Sequence, residues 1–94
     1  MYKYSDGENI NSIEIDEKNG ILFVGCQSGK LRAHMWPQRI DQSFDQYSEI
    51  IVGYNPIQSL TLSNINHLLY IGCANGNISK IKYLLDRDRG QSTF

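Results

Sequence analysis

The residues LFVGCQSGKL at 22–31 return as LYIGCANGNI at 69–78, and 69 − 22 = 47 residues separate the two copies. Extended without a gap, the match covers 10–36 (INSIEIDEKNGILFVGCQSGKLRAHMW) and 57–83 (IQSLTLSNINHLLYIGCANGNISKIKY). Identities fall at Ile10/Ile57, Ser12/Ser59, Asn19/Asn66, Leu22/Leu69, Gly25/Gly72, Cys26/Cys73 and Gly29/Gly76. Apolar character also persists at Ile13/Leu60, Ile15/Leu62, Ile21/Leu68, Phe23/Tyr70, Val24/Ile71 and Leu31/Ile78. A repeat period of about 40–50 residues restricts a chain to folds that use one supersecondary unit again and stack the copies.

Each copy reads as short strands. Residues 10–15 alternate, with Ile13 and Ile15 on one face and Ser12 and Glu14 on the other. Residues 21–26, ILFVGC, are continuously apolar, the pattern of a strand buried on both faces. The dipeptides SG (28–29) and NG (75–76) sit where a tight turn needs positive φ, which Gly supplies. A third strand follows each turn (KLRAHMW, then ISKIKYL), and 43–52 reads as a fourth strand of the first unit, with Gly53–Pro56 turning into the second. No stretch keeps a helical period with caps.

The predicted organisation is an N-terminal strand or arm at 1–9, a first unit at 10–53, a second at 54–85 lacking a complete outer strand, and a charged tail at 86–94. MYKY (1–4) is available to lend a strand to an adjoining unit. The third strands differ in phase. The first puts Leu31, Ala33 and Met35 on one face, where the second puts Ile78, Lys80 and Lys82. Either a bulge flips the second strand or that face meets different surroundings.

Four antiparallel strands per repeat is the plan of a β-propeller blade. The residues resemble WD40 repeats: an apolar first strand (INSIEI, IQSLTL), a small-residue second strand (LFVGC, LYIGC), a turn ending in Gly, and an aromatic closing the third strand (Trp36, Tyr83). The family's WD dipeptide survives only as Trp36-Pro37 and Tyr83-Leu84, its GH as Gly53-Tyr54, and its turn Asp is replaced by Ser28 and Asn75. The hydrogen-bonded Trp-Ser-His-Asp tetrad of the family is therefore missing, and packing is expected to hold the blades. The expected fold is all-β: two four-stranded antiparallel WD40-like blades forming an incomplete propeller.

Two blades cannot close a ring, and stacked alone they are expected to expose two broad apolar faces. The chain is thus expected to be a fragment or a completing subunit, its partners being other protein chains that complete or cap the propeller. The stretch 30–90, with KLRAHMWP, DQSFDQYSEI, NPIQSLTLS and LLDRDRG, is similar to blades of cilia- and flagella-associated WD-repeat proteins. That resemblance implies a structural component of the axoneme contacting tubulin or dynein-associated complexes.

Candidate chemistry is sparse. GCQSGKL departs from a phosphate-binding loop in spacing and in the residue after Lys30, and Asn77 replaces that lysine in the second copy. Cys26 and Cys73 share one repeat position, so adjacent units hold them apart; buried, unpaired thiols are expected. His34 and His67 have no acidic or Ser partner in register. The N-terminal residues MYKYSDGENI are polar, so no secretory signal is expected to accompany the sequon Asn77-Ile78-Ser79. No catalytic residue, cofactor or metal ligand is proposed. Nine Lys and Arg against ten Asp and Glu give a net charge of -1, no basis for nucleic-acid binding. No apolar run reaches the ~20 residues of a membrane helix, and a cytoplasmic setting is expected. Candidate partner-binding residues are Trp36, Tyr47 and Tyr54, aromatics near strand ends, with Lys80 and Lys82. Their competing readings are packing between units and a solvated edge. Two other function classes stand beside the scaffold: a small-ligand or enzymatic propeller, for which Glu14 is the only carboxylate on the first strand of either unit as read at 10–15 and 57–62, and a self-contained small β-sandwich.

Overall fold

A computed structural model describes residues 2–38, 43–63 and 65–83, and these form an all-β structure of two antiparallel sheets. Sheet A contains β1 (Ile10–Asp16), β2 (Ile21–Cys26), β3 (Lys30–Met35) and β4 (Ser48–Ile51) in that spatial order. Sheet B contains β5 (Ile57–Ser63), β6 (Leu68–Cys73) and β7 (Ile78–Lys82). The sheets do not close on one another into a barrel. The expected fourth strand of the first unit is confined to four residues, and the tail at 86–94 lies outside the described residues. No helix among the described residues is long and apolar enough to cross a membrane.

The repeat is kept down to single hydrogen bonds. Both units break register at the same place, between Ile10 and Ser12 and between Ile57 and Ser59. Gly29 and Gly76 turn at φ of 90° and 89°, each donating its N–H to the carbonyl of the cysteine three residues earlier. Trp36 donates its N–H to Gly20 at 2.8 Å, and Tyr83 donates to His67 at 3.0 Å, again 47 residues on. His67 stands where the first unit has Gly20 and takes the same left-handed turn, φ 54° against 68°. A non-glycine residue is uncommon there.

The third-strand phase question is settled by pairing. β7 meets β6 in an unbroken register, Leu68 opposite Lys82 through Gly72 opposite Ile78, as β3 meets β2 from Ile21 opposite Met35 through Gly25 opposite Leu31. No bulge flips β7; its surroundings differ.

Each unit has a front face (Leu22, Val24 and Cys26; then Leu69, Ile71 and Cys73) and a back face (Ile21, Phe23 and Gly25; then Leu68, Tyr70 and Gly72). Sheet B lays its front face on the back face of sheet A, joining Ile21, Phe23, Leu31 and Ala33 to Ile57, Leu60, Leu69, Ile71 and Tyr83 in one core. Each fully buried large side chain there contributes about 1.5–3 kcal/mol. Gly25 is the point of closest approach: a Cβ on it would collide with the Ile57 side chain. A small residue between Val24 and Cys26 is therefore a packing requirement.

Against the expectation of two broad apolar faces left open, the outer face of sheet A is covered by residues of the chain itself. Tyr4 (4 % exposed) and Phe44 seal Leu22, Val24 and Cys26, with Trp36 and Tyr47 packed at the margin. Tyr4 does this as a side chain laid on the sheet, with Tyr2 against Trp36 and Phe44, and residues 2–4 form no strand.

Candidate interaction surface

The back face of sheet B is the counterpart of the face that sheet A buries, and nothing among the described residues covers it. Cross-strand pairing puts Ser59, Thr61 and Ser63 of β5, Leu68, Tyr70 and Gly72 of β6, and Ile78, Lys80 and Lys82 of β7 on this side. Ile78 is 78 % exposed where its equivalent Leu31 is wholly buried, and Tyr70 is 39 % exposed where Phe23 is wholly buried. Lys80 and Lys82 are exposed on the same strand, at the positions of Ala33 and Met35. Gly72 repeats the small residue that admits Ile57 at Gly25, but a Cβ here would meet within 4 Å only Ser59, its own cross-strand neighbour. The face combines Tyr70 and Ile78 at its centre, a small residue at Gly72 and two lysines along one edge.

Of the residues singled out in sequence, Lys80 and Lys82 thus lie together. Tyr54 is 94 % exposed in the loop between the sheets. Trp36 and Tyr47 lie elsewhere, on the front face of sheet A, and each is held by the chain itself. Trp36 meets Tyr2 edge-on at 5.3 Å between ring centroids, and the Tyr47 ring lies 4.2 Å from the Arg32 guanidinium.

That second cluster was not visible as a cluster in the sequence. Arg32, only 1 % exposed, is held between the rings of Tyr4 (4.4 Å) and Tyr47. It donates from Nε to Glu49 and from Nη2 to Asp6, each at 2.7 Å. Burial alone would favour the uncharged form, but the two carboxylates outweigh it and hold the guanidinium more firmly protonated than usual. Asp6 is lowered in turn, chiefly by its hydrogen bond from Arg32. His34, also buried, stacks on Phe44 at 4.2 Å and shares a 2.6 Å hydrogen bond between its Nε2 and the Tyr4 hydroxyl. Its Nδ1 makes no hydrogen bond of ordinary geometry among the described residues, although the Gln46 backbone favours a proton there. Burial prevails and pushes the imidazole down to about 4. Burial likewise pushes the Cys26 thiol up to about 11, which leaves it unreactive at neutral pH. Both cysteines are free, Cys26 buried and Cys73 half-buried.

A polar lock joins the two units, although packing alone was expected to hold them. The Tyr83 hydroxyl donates to Asp16 Oδ2 at 2.7 Å, and the backbone and side-chain N–H of Asn19 donate to the same carboxylate at 3.1 and 2.8 Å. Burial disfavours the charge on Asp16, but these bonds and nearby His67 outweigh it and lower the carboxyl. Burial and the Asp16 carboxylate raise Tyr83, keeping it a donor. The lock lines a shallow cleft of about 440 Å³ with Ile15, Glu17, Lys18 and His67. Its one buried carboxylate is committed to three donors, so the cleft serves cohesion. The signal for it lay in the repeat: Tyr83 takes the place of Trp36 but adds a hydroxyl.

No group of three or more His, Cys, Asp or Glu side chains able to hold a metal ion occurs among the described residues. No protein-family model matches the chain, and no curated protein matches it at a significant level.

Proposed function

We propose that this protein is a noncatalytic protein–protein interaction module, two divergent WD40-like blades of an incomplete β-propeller, whose open back face receives a further repeat unit. The observation that carries the reading is the way the sheets meet. Two copies of one unit forming a self-contained sandwich would bury equivalent faces against each other. Here unlike faces meet, front on back, and such a contact leaves one back face unsatisfied by construction. The free face keeps the features of its buried counterpart, with Gly72 for Gly25, Tyr70 for Phe23 and Ile78 for Leu31. Such heterologous contacts close rings when the rotation permits. The similarity of 30–90 to cilia- and flagella-associated proteins extends the proposal to an axonemal scaffold with tubulin or dynein-associated partners.

The test uses a photo-crosslinking amino acid at Tyr70 in cells that make the protein, with the captured chain sequenced. The expected capture is a β-rich repeat protein. Gly72→Ala should leave the melting of the isolated chain nearly unchanged, because Ser59 Oγ can rotate aside, yet lower the captured partner's affinity at least about tenfold. A chain that crosslinks only from Tyr54, or whose capture ignores Gly72→Ala, would overturn the reading.

A further inference from the structure

The chain holds two Asn-Gly dipeptides, Asn19-Gly20 and Asn75-Gly76, each at a turn where the glycine takes a positive φ, 68° and 89°. An asparagine in this setting can modify itself, because glycine has no side chain to shield its backbone nitrogen from the asparagine Cγ. The two sites are wired in opposite ways. At Asn75 the hydrogen bond falls on the carbonyl oxygen, Oδ1 accepting the Asn77 N–H at 3.1 Å. At Asn19 it falls on the amide nitrogen, Nδ2 donating to Asp16 Oδ2 at 2.8 Å. The partners fix the orientation of each amide, since a backbone N–H only donates and a carboxylate only accepts. The surroundings differ in the same sense. Asn75 and Gly76 are exposed, and a Cβ on Gly76 would meet no described residue within 4 Å, so this turn has room to rearrange. Asn19 is half-buried in the polar lock, with its backbone N–H also held by Asp16 at 3.1 Å. Gly20 is held as well: its carbonyl accepts the Trp36 N–H at 2.8 Å, and the Trp36 carbonyl oxygen lies 3.0 Å from where a Cβ would stand.

We infer that Asn75 is a site of spontaneous covalent modification, converting to aspartyl and isoaspartyl residues in the folded protein, while the lock around Asp16 protects Asn19. The Gly76 nitrogen, once its proton has passed to base in the solvent, adds to Asn75 Cγ. The negative charge gathers on Oδ1, where the Asn77 N–H is already in place to stabilise it, as a preorganised donor does at a developing oxyanion. The Cγ–Nδ2 bond then breaks, ammonia leaves with a proton taken from water, and a cyclic imide remains. Water opens the imide. Attack at Cγ leaves aspartate, and attack at the Asn75 main-chain carbonyl carbon leaves isoaspartate, in which the chain runs through Cγ. Either product makes the protein one charge unit more negative. The aspartyl form still offers the Asn77 N–H an acceptor, whereas the isoaspartyl form adds a carbon to the main chain beside the Gly72–Ile78 pair that ends the β6–β7 ladder. At Asn19 the same step is opposed twice. Asp16 keeps electron density on the nitrogen that must leave, and ring closure must break the side chain away from that carboxylate. Asn75 is not wholly free, since Gly76 must first release its N–H from the Cys73 carbonyl at 3.0 Å. The folded turn therefore reacts more slowly than an unfolded chain, but ahead of Asn19.

The test incubates the full folded chain at mildly alkaline pH and follows both dipeptides by peptide mapping. Mass spectrometry reads the exchange of amide for acid, and chromatographic retention separates the isoaspartyl from the aspartyl peptide. Asn75 should convert at least about tenfold faster than Asn19, giving both isomers, and in urea at the same pH the two rates should become equal. Asp16→Ala, which frees the Asn19 amide, should raise the Asn19 rate toward that of Asn75 and leave Asn75 as it was. Equal rates in the folded chain overturn the inference, as does an Asn75 that stays intact when folded yet converts in urea. An Asn19 rate untouched in folded Asp16→Ala overturns the protection assigned to the lock. Should that variant fail to fold, the wild-type rates with and without urea decide alone.

Discussion

Phe23 and Tyr70 hold the same place in the same strand of two units that share a register, a bulge and a turn, yet one is wholly buried and the other 39 % exposed. The same holds for Leu31 against Ile78, and for Ala33 against Lys80. Backbone pairing is thus a local property that each copy carries in its own sequence. Burial is a property of what lies alongside, and among the described residues only the first unit is covered on both sides.

The sharpest way to break that comparison is to truncate the paired aromatics. Phe23 sits in the core between the sheets with its ring 4.8 Å from that of Tyr83. Phe23→Ala should cost about 3–5 kcal/mol, as large-to-small changes of buried aromatics do. Tyr70→Ala should cost less than about 1 kcal/mol, in the range of changes at exposed positions. Urea unfolding of the isolated chain measures both. Equal costs would mean that the back face of sheet B is covered in solution, and the contrast between the units would vanish.

Acidification should act on the first unit ahead of the second, because His34 has no counterpart in the Ile81 position. In the unfolded chain His34 takes up its proton near pH 6.5, and in the folded chain only near about 4. Between those values the unfolded state binds more protons, so stability is full above pH ~6.5 and falls as pH drops through the window. The loss should reach up to about 3 kcal/mol. Around the ring, Arg32 opposes the imidazolium, while Asp6 and Glu49 are engaged with Arg32. His34→Gln should flatten the pH profile between 6.5 and 4, measured by urea midpoints at each pH, and a profile unchanged by that substitution would refute the assignment.

How much of this was legible in the residues follows from the same division. The strand spans, the turns at Gly29 and Gly76 and the ungapped equivalence of the units were readable, because alternation, turn glycines and repeat spacing are local signals. The apolar run ILFVGC announced a strand buried on both faces, and it is one. LLYIGC gives the same signal but is buried on one side only, since composition does not record whether a neighbour is present. The arm escaped for a related reason. Tyr4 and Arg32 are 28 positions apart (32 − 4 = 28) and acquire meaning only once Asp6, Glu49 and Tyr47 converge on the guanidinium. A lone arginine in an apolar strand was the available signal, because burying it demands partners. Trp36 and Tyr47 read as surface aromatics because the segment that packs on them, 2–9, has no periodicity of its own.

The smallest expected effect concerns the polar lock. Tyr83→Phe removes the hydroxyl that bridges the units but leaves Asp16 its two hydrogen bonds from Asn19, so the loss should be about 1 kcal/mol. The Asp16 carboxyl, lowered in part by that hydroxyl, should then rise. Its stabilising contribution is present above the unfolded carboxylate range and lost as pH falls through the folded value, so in Tyr83→Phe the loss begins at higher pH. A double-mutant cycle of Tyr83→Phe with Asp16→Asn should give a coupling of about 1 kcal/mol. The equivalent positions are Trp36 and Ser63, but Trp36 lies on the front face of sheet A and Ser63 on the back face of sheet B. No described contact joins them. A cycle of Trp36→Phe with Ser63→Ala should therefore be additive within about 0.5 kcal/mol. Coupling at that second pair would place Trp36 of one copy against Ser63 of another, and would show that Tyr4 and Phe44 do not keep the front face of sheet A closed.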